Sequence, residues 1–161
     1  MSANEKNVEV MLEIFNAIEL RDPQRPDRQR GLALLHPDVE FHWPPSLPYG
    51  GTSRGLQIEG PTWGGTWDAL QPTAAERRMD PRVVASSDEE VVVLWRQKGV
   101  SPNGDRIETP VLGLYQLRDG KLARAQMFYF DTAEVLSFLS KALTPEGPTV
   151  GANGSAEASR L

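Results

Sequence analysis

Asp131 is the residue whose type and position could most clearly do chemistry. It follows an aromatic run over residues 127–130 and precedes a segment of helical periodicity, so it stands where a predicted strand ends and a helix begins. A carboxylate at a strand end can face a cavity and act as an acid or base. The same position suits a helix N-cap, and Glu134 completes a capping box three residues later. Both roles are open, and a helix N-terminus would make Asp131 a better base than acid.

His42 and Tyr129 are the other candidates for proton transfer. His42 lies within a predicted strand and is a side chain that titrates near neutral pH. Its alternation is opposite to that of Phe41 and Trp43, which also suits a position on the rim of the sheet or on a subunit interface. Tyr129 could protonate or polarise an oxygen of a substrate.

Large aromatic side chains occur in every element expected to line a cavity. Core packing is the default role for most of them. They would also hold a flat, polycyclic or aromatic ligand and orient its oxygen atoms through hydroxyl and indole N–H groups. The candidates for ligand binding are Trp43, Tyr49, Trp63, Trp67, Trp95 and Tyr115.

The first half of the chain predicts helices and one strand. Apolar residues recur at helical spacing from Val8 to Ile18, after a possible capping box formed by Ser2 and Glu5. A second, short helix is expected over residues 28–35, and a strand from Asp38 until the prolines at 44–45. Residues 46–55 predict a loop or irregular hairpin, and residues after 61 predict a helix that carries Trp63, Trp67 and Leu70.

The second half predicts an antiparallel meander. Strands are expected over residues 77–85, 90–98 and 106–117, and the strand that ends near Tyr129 completes the set. Short turns, including Asp119-Gly120, require antiparallel neighbours. Pro110 and Gly113 predict either a bulge or a place where something approaches the backbone closely.

Composition restricts the possible functions. A chain of 161 residues with net charge −5 and no run of Lys or Arg is a poor partner for nucleic acid or an anionic membrane. It has no cysteine and two histidines, so thiolate chemistry is excluded and a multi-histidine metal site is not expected. No targeting or membrane-spanning segment is recognised, which predicts a cytoplasmic protein. One domain is expected over residues 1–143, followed by a disordered tail over 144–161.

Several predicted strands are apolar on both faces. Val91, Val93 and Trp95 alternate with Val92 and Leu94, and the strand that ends near Tyr129 shows the same pattern. One face can pack on the helices while the other contacts a second copy of the chain. We therefore expect a homodimer.

The order of these elements and four segments resemble the SnoaL-like polyketide cyclase family, within the nuclear transport factor two-like or cystatin-like superfamily. The resemblance covers about residues 6–141. The segments that carry it are the N-terminal helix, residues 36–44 (HPDVEFHWP), residues 47–55 (LPYGGTSRG), and residues 119–124 (DGKLAR) with the Tyr129-Phe-Asp-Thr-Ala end of the last strand.

The resemblance implies an α+β fold in which a curved antiparallel (mixed) sheet wraps around a long N-terminal helix and forms a cone-shaped barrel with an internal pocket. It also implies that Asp131 is the acid or base of a ring closure that needs neither metal nor organic cofactor. Where those cyclases carry a histidine-rich segment, this chain has Arg124-Ala-Gln126. Three functions of different classes follow.

The first is a cofactor-independent cyclase, isomerase or hydrolase acting on a polyketide-like or other hydrophobic secondary metabolite. The second is a protein that binds or sequesters a hydrophobic small molecule without changing it. The third, an interaction scaffold, predicts a shallow and filled cone.

Overall fold

The computed structural model describes residues 1–20, 28–56 and 69–143, which form a curved six-stranded sheet and four helices. The helices are α1 (Ala3–Glu19), α2 (Arg28–Ala33), α3 (Ala74–Arg77) and α4 (Thr132–Leu143). The strands are β1 (Leu35–Trp43), β2 (Gly51–Arg54), β3 (Arg82–Ser86), β4 (Glu90–Val100), β5 (Arg106–Arg118) and β6 (Lys121–Tyr129).

The sheet is mixed and open. Its strand order is β2-β1-β6-β5-β4-β3, with β2 and β3 at the two edges. β1 runs parallel to β6, and every other neighbouring pair is antiparallel. The chain therefore has the predicted α+β cone fold, with a curved mixed sheet and a long N-terminal helix.

Helix α1 begins as its sequence predicts. The Ser2 hydroxyl accepts a hydrogen bond from the Glu5 N–H at 3.2 Å, and the Glu5 carboxylate accepts one from the Ser2 N–H at 2.7 Å. This capping box satisfies two N–H groups that the helix itself leaves unpaired. Met11 and Phe15, one helical turn apart, are buried in the core.

The turn that leads into β6 follows the prediction for its two residues. Asp119 has φ 53° and Gly120 has φ 70°, the left-handed conformations that a two-residue hairpin turn requires. Antiparallel pairing of β5 with β6 follows from this turn. Of the two alternatives predicted at Pro110 and Gly113, the close approach occurs at Gly113, whereas the bulge in β5 lies further along the strand, between Gln116 and Leu117.

The boundary between α2 and β1 differs from the prediction. The helix ends at Ala33, before the predicted residue 35, and the strand begins at Leu35 rather than Asp38. Leu122 on β6 determines this boundary, because its N–H donates to the Leu34 carbonyl at 3.0 Å and Leu35 is its cross-strand partner. Local periodicity carries no information about such a pairing.

The strand predicted over residues 77–85 is wrong in its first part. Residues 74–77 form the short helix α3, whose start is capped by the Thr73 hydroxyl, which accepts from the Ala75 N–H at 3.2 Å. Asp80 has φ 48° and redirects the chain before β3 begins at Arg82. The interruption expected near Asp80 is therefore a turn between a helix and a strand.

The predicted helix with Trp63 and Trp67 and the predicted tail over 144–161 lie outside the described residues. In the parts of the chain that are described, no helix combines the length and apolar character needed to cross a membrane.

Candidate ligand-binding site

The inner face of the sheet, which packs against the helices, holds an aromatic row beside a polar one. Trp95, Val111 and Tyr129 are direct neighbours across β4, β5 and β6. In the next row on the same face, Gln97 of β4 pairs with Thr109 of β5. Each of these five residues is at most 9% exposed. The inner face therefore places buried hydrogen-bonding groups next to an apolar wall.

The Tyr129 hydroxyl is the centre of a buried hydrogen-bond chain. The Tyr49 hydroxyl donates to it at 2.9 Å, and Tyr129 donates in turn to Oε1 of Gln97 at 3.2 Å. The Gln97 side chain is fully buried, and its Nε2 donates to the Lys98 carbonyl at 3.3 Å. Buried polar groups are costly unless they are paired, so this chain fixes the direction of each hydroxyl.

Of the six aromatic candidates for ligand binding, Tyr49 belongs to this hydrogen-bond chain and three others lie around it. The Trp43 ring lies 5.5 Å from Tyr49 and 6.5 Å from Tyr129, measured between centroids, and Trp95 lies 6.3 Å from Tyr129. Tyr115 is nearby on β5 and is linked to Trp95 through Phe15 of α1, which contacts both rings. The remaining two candidates are the tryptophans at 63 and 67, outside the described residues.

The tyrosines in this cluster are neutral hydrogen-bond donors. Burial raises the pKa of Tyr129 well above its ordinary value, and the neighbouring Tyr49 adds to the rise. Burial also raises the pKa of Tyr49 and of Tyr115. A neutral phenol can donate to and polarise a ligand oxygen, but it is a poor base.

Asp131 is an exposed helix cap just past the end of β6. Its Oδ1 accepts a hydrogen bond from the Glu134 N–H at 3.0 Å, as the capping pattern predicts. The Phe130 N–H donates to the Pro110 carbonyl at 3.0 Å, which continues the β5–β6 register one residue past β6. Extended by one more residue, the same register would pair Asp131 with Thr109, and the Asp131 side chain is exposed.

His42 lies on the outer face of the sheet, opposite to Tyr129. Its Nε2 is 2.9 Å from the Glu40 carboxylate and its Nδ1 is 3.2 Å from the Thr52 hydroxyl. Glu40 also forms an ion pair with Arg54 at 3.2 Å. The hydrogen bond from His42, followed by the charge of Arg54, lowers the pKa of the Glu40 carboxyl. The structure thus brings Tyr129 together with the aromatic candidates, but not with His42.

Gln97 and Thr109 are site residues that the sequence reasoning missed. In β4 the inward positions are Val91, Val93 and Trp95, and the next inward position is Gln97. A polar residue at an inward position of an otherwise apolar alternation is a signal that could have identified it. Thr109 follows the same rule in β5. Within the described ranges, no three acidic or histidine side chains are grouped so that they could hold a metal ion.

A curved mixed sheet around a long helix, with an aromatic interior, defines the class of the protein as a cystatin-like α+β cone. The sequence model of the SnoaL-like domain family matches residues 4–125, and the chain belongs to that family. No curated protein matches the chain significantly.

Solved structures show the same fold at low identity. TerC, co-crystallised with polyporic acid, is 23% identical; the match covers 84% of this chain and 98% of TerC, with a TM-score of 0.69. An NTF2-like protein of unknown function from Burkholderia pseudomallei K96243 is 24% identical over 87% of this chain and 99% of its own, with a TM-score of 0.68. A candidate SnoaL-like polyketide cyclase from Jannaschia sp. CCS1 is 18% identical over 90% and 96% of the two chains, with a TM-score of 0.62.

Proposed function

We propose that this protein binds a hydrophobic small molecule on the inner face of its sheet and that an oxygen atom of that molecule replaces Gln97 Oε1 as the acceptor of the hydrogen bond from Tyr129. The observation that carries the proposal is the buried chain of Tyr49, Tyr129 and Gln97 between the rings of Trp43 and Trp95. Aromatic walls with a few convergent polar groups are typical of ligand pockets. The presence of polyporic acid in the TerC structure is consistent with this use of the fold.

The donor role of Tyr129 can be measured with 2-acetylnaphthalene, a flat aromatic ketone. Tyr129→Phe should weaken its binding by up to about fivefold, because one buried hydrogen bond contributes roughly 1 kcal/mol and the bond to Gln97 is given up in exchange. Tyr115→Phe removes a neighbouring buried hydroxyl that is not part of the Tyr49–Tyr129–Gln97 hydrogen-bond chain, so it serves as the matched control. The carbonyl stretching frequency of the bound ketone should shift downward with wild-type protein and not with Tyr129→Phe. Equal affinities and equal frequencies for the two proteins would refute the donor role.

A second candidate function is a cofactor-independent acid/base enzyme of the cyclase, isomerase or hydrolase type, acting on a polyketide-like or other hydrophobic secondary metabolite. The β5–β6 register favours it, because one more residue of that register would pair Asp131 with Thr109 and bring a carboxylate to the polar row of the pocket. Asp131 would remove a proton while neutral Tyr129 polarises the substrate oxygen.

Asp131→Asn separates this role from helix capping. Asparagine caps a helix about as well as aspartate, so the variant should keep its stability. Turnover should fall by a factor of about 100 or more if the carboxylate is the base. Full activity of Asp131→Asn on a substrate that the wild-type protein converts would show that Asp131 only caps the helix and is not the base.

We also propose that the outer face of the sheet forms a homodimer interface. Leu94, Leu112 and Phe128 are cross-strand neighbours there, and Phe128 is 49% exposed. His42 and Arg54 lie on the same face toward β2, paired with Glu40, so both signs of charge adjoin the apolar strip. A twofold contact places a patch against itself, which suits this mixture. Phe128→Glu should convert the dimer to a monomer in sedimentation analysis, whereas Phe128→Leu should not.

A further inference from the structure

The Thr109 hydroxyl is a buried polar group without a partner among the described residues. Thr109 is 1% exposed, and its Oγ1 makes no hydrogen bond there. Leaving a buried hydroxyl unpaired is unfavourable, and such a group in a native protein calls for a ligand, a water molecule or a functional reason. Its position supplies that reason, because Thr109 lies on the inner face next to Gln97, and one more residue of the β5–β6 register would pair it with Asp131.

The rows around Thr109 determine what kind of ligand group would fit. The described inward residues of β4 and β5 are uncharged, whereas the charged residues of these strands occupy outward positions and are paired. Arg96 is bonded to Glu108, and Lys98 donates to Asp80 at 2.6 Å. A ligand carboxylate would therefore find no counter-charge on these inward positions, and its burial would be costly. A hydroxyl group, which both donates and accepts, matches a threonine hydroxyl beside a carboxamide.

We propose that Thr109 and Gln97 form the polar end of the ligand pocket and that Thr109 hydrogen-bonds to a hydroxyl group on an otherwise apolar ring compound. Thr109 is then a specificity-determining residue that favours phenol-like ligands over hydrocarbons of the same shape. This inference rests on the proposed ligand pocket. It deepens that proposal by assigning the chemical class of the ligand and two residues that recognise it.

The test uses two probes of nearly equal shape, 2-naphthol and 2-methylnaphthalene, measured by calorimetry. Wild-type protein should prefer 2-naphthol by about tenfold, the equivalent of one buried hydrogen bond. Thr109→Val keeps the shape of the side chain and removes the hydroxyl, so the preference should fall to about twofold or less. Thr109→Ser keeps a hydroxyl and should retain most of the preference. Affinity for 2-methylnaphthalene should be the same in wild-type and Thr109→Val proteins.

A stability measurement on the ligand-free protein separates the proposal from a structural role. Because Thr109→Val replaces an unpaired buried hydroxyl by a methyl group, its thermal midpoint should rise by about 2–4 °C. Thr109→Ala removes the same hydroxyl and replaces Thr109→Val in the binding assay if that variant does not fold.

The possible failures are distinguishable. Binding of both probes with no preference, or with a preference that survives in Thr109→Val, would overturn the role of Thr109 and leave the pocket in place. A water molecule that stays bonded to Thr109 Oγ1 in a crystal with 2-naphthol would do the same. Failure of wild-type protein to bind either probe would overturn the pocket, and this inference with it.

Discussion

Gly113 on β5 is a position where adding one methyl group should measurably destabilise the protein. A Cβ atom built there would lie 2.2 Å from the Tyr115 hydroxyl oxygen and 2.3 and 2.4 Å from the ring atoms Cζ and Cε2. Ordinary van der Waals contact begins near 3.4 Å, so the ring would have to move by about 1 Å. The sequence predicted either a bulge or a close approach at this glycine, and the close approach is the Tyr115 ring.

The Tyr115 ring is not free to make that movement. It is 5% exposed, and it packs edge-on against Phe15 of α1 with the centroids 6.1 Å apart. Displacing a ring inside a packed core costs about 1–3 kcal/mol. For a domain of this size, each 1 kcal/mol shifts the thermal midpoint by roughly 2–4 °C. Gly113→Ala should therefore lower the midpoint by about 2–12 °C, and the displaced ring should weaken binding of aromatic probes.

A double-mutant cycle measures whether Tyr115 is the cause. In a Tyr115→Leu background the same Gly113→Ala change should cost little or stabilise the protein, because alanine loses less backbone entropy than glycine on folding. Thermal unfolding of the four proteins gives the coupling free energy. The reasoning fails if Gly113→Ala costs the same in both backgrounds, or if it costs nothing in the wild-type chain.

Three further predictions concern titration and capping. All three tyrosines of the protein are buried and have a raised pKa. Their contribution to the free energy of unfolding is therefore fully present below pH 10 and is lost as the pH rises further. Tyrosinate absorbance should appear together with unfolding. Tyrosinate in a protein with native circular dichroism would contradict this. Asp131→Ala should cost about 1 kcal/mol in thermal unfolding, whereas Asp131→Asn should cost nearly nothing. The lowered pKa of Glu40 contributes stability above its ordinary value of 4.5 that is lost as pH falls, so Glu40→Gln should flatten the acid side of the stability curve, and an unchanged curve would refute this.

Periodicity predicted the elements whose signals are local. The capping box at Ser2 and the Asp119-Gly120 turn are specified by residues close together in the chain, and both occur as expected. The errors lie where distant residues decide. The start of β1 depends on Leu122, almost ninety positions later, and the strand predicted from Arg77 begins only at Arg82, after the helix over residues 74–77. A hydrogen bond between strands that are distant in the sequence does not change the hydrophobic periodicity of either segment.

The aromatic part of the candidate site was predicted from the sequence, and its polar part was missed. Tyr129 and its aromatic neighbours were identified because large rings at strand positions suggest a lined pocket. Gln97 and Thr109 were missed because a single amide or hydroxyl in a strand is usually taken as exposed. Their burial follows the inward alternation of each strand, whereas their pairing in one row depends on the β4–β5 register, which no single-strand pattern reveals.

The position of the polar row also separates the two proposed activities. Tyr49, Tyr129 and Gln97 are neutral groups, so they can bind and polarise an oxygen but cannot take up a proton at physiological pH. Asp131 is the carboxylate that one more residue of the β5–β6 register would pair with Thr109, and it already uses one oxygen to cap α4. If the protein is an enzyme, the base must therefore be Asp131 or a residue outside the aromatic and polar rows of the inner face. The residues of these two rows would then bind the substrate. Loss of turnover in Asp131→Asn with unchanged probe affinity would show that division directly.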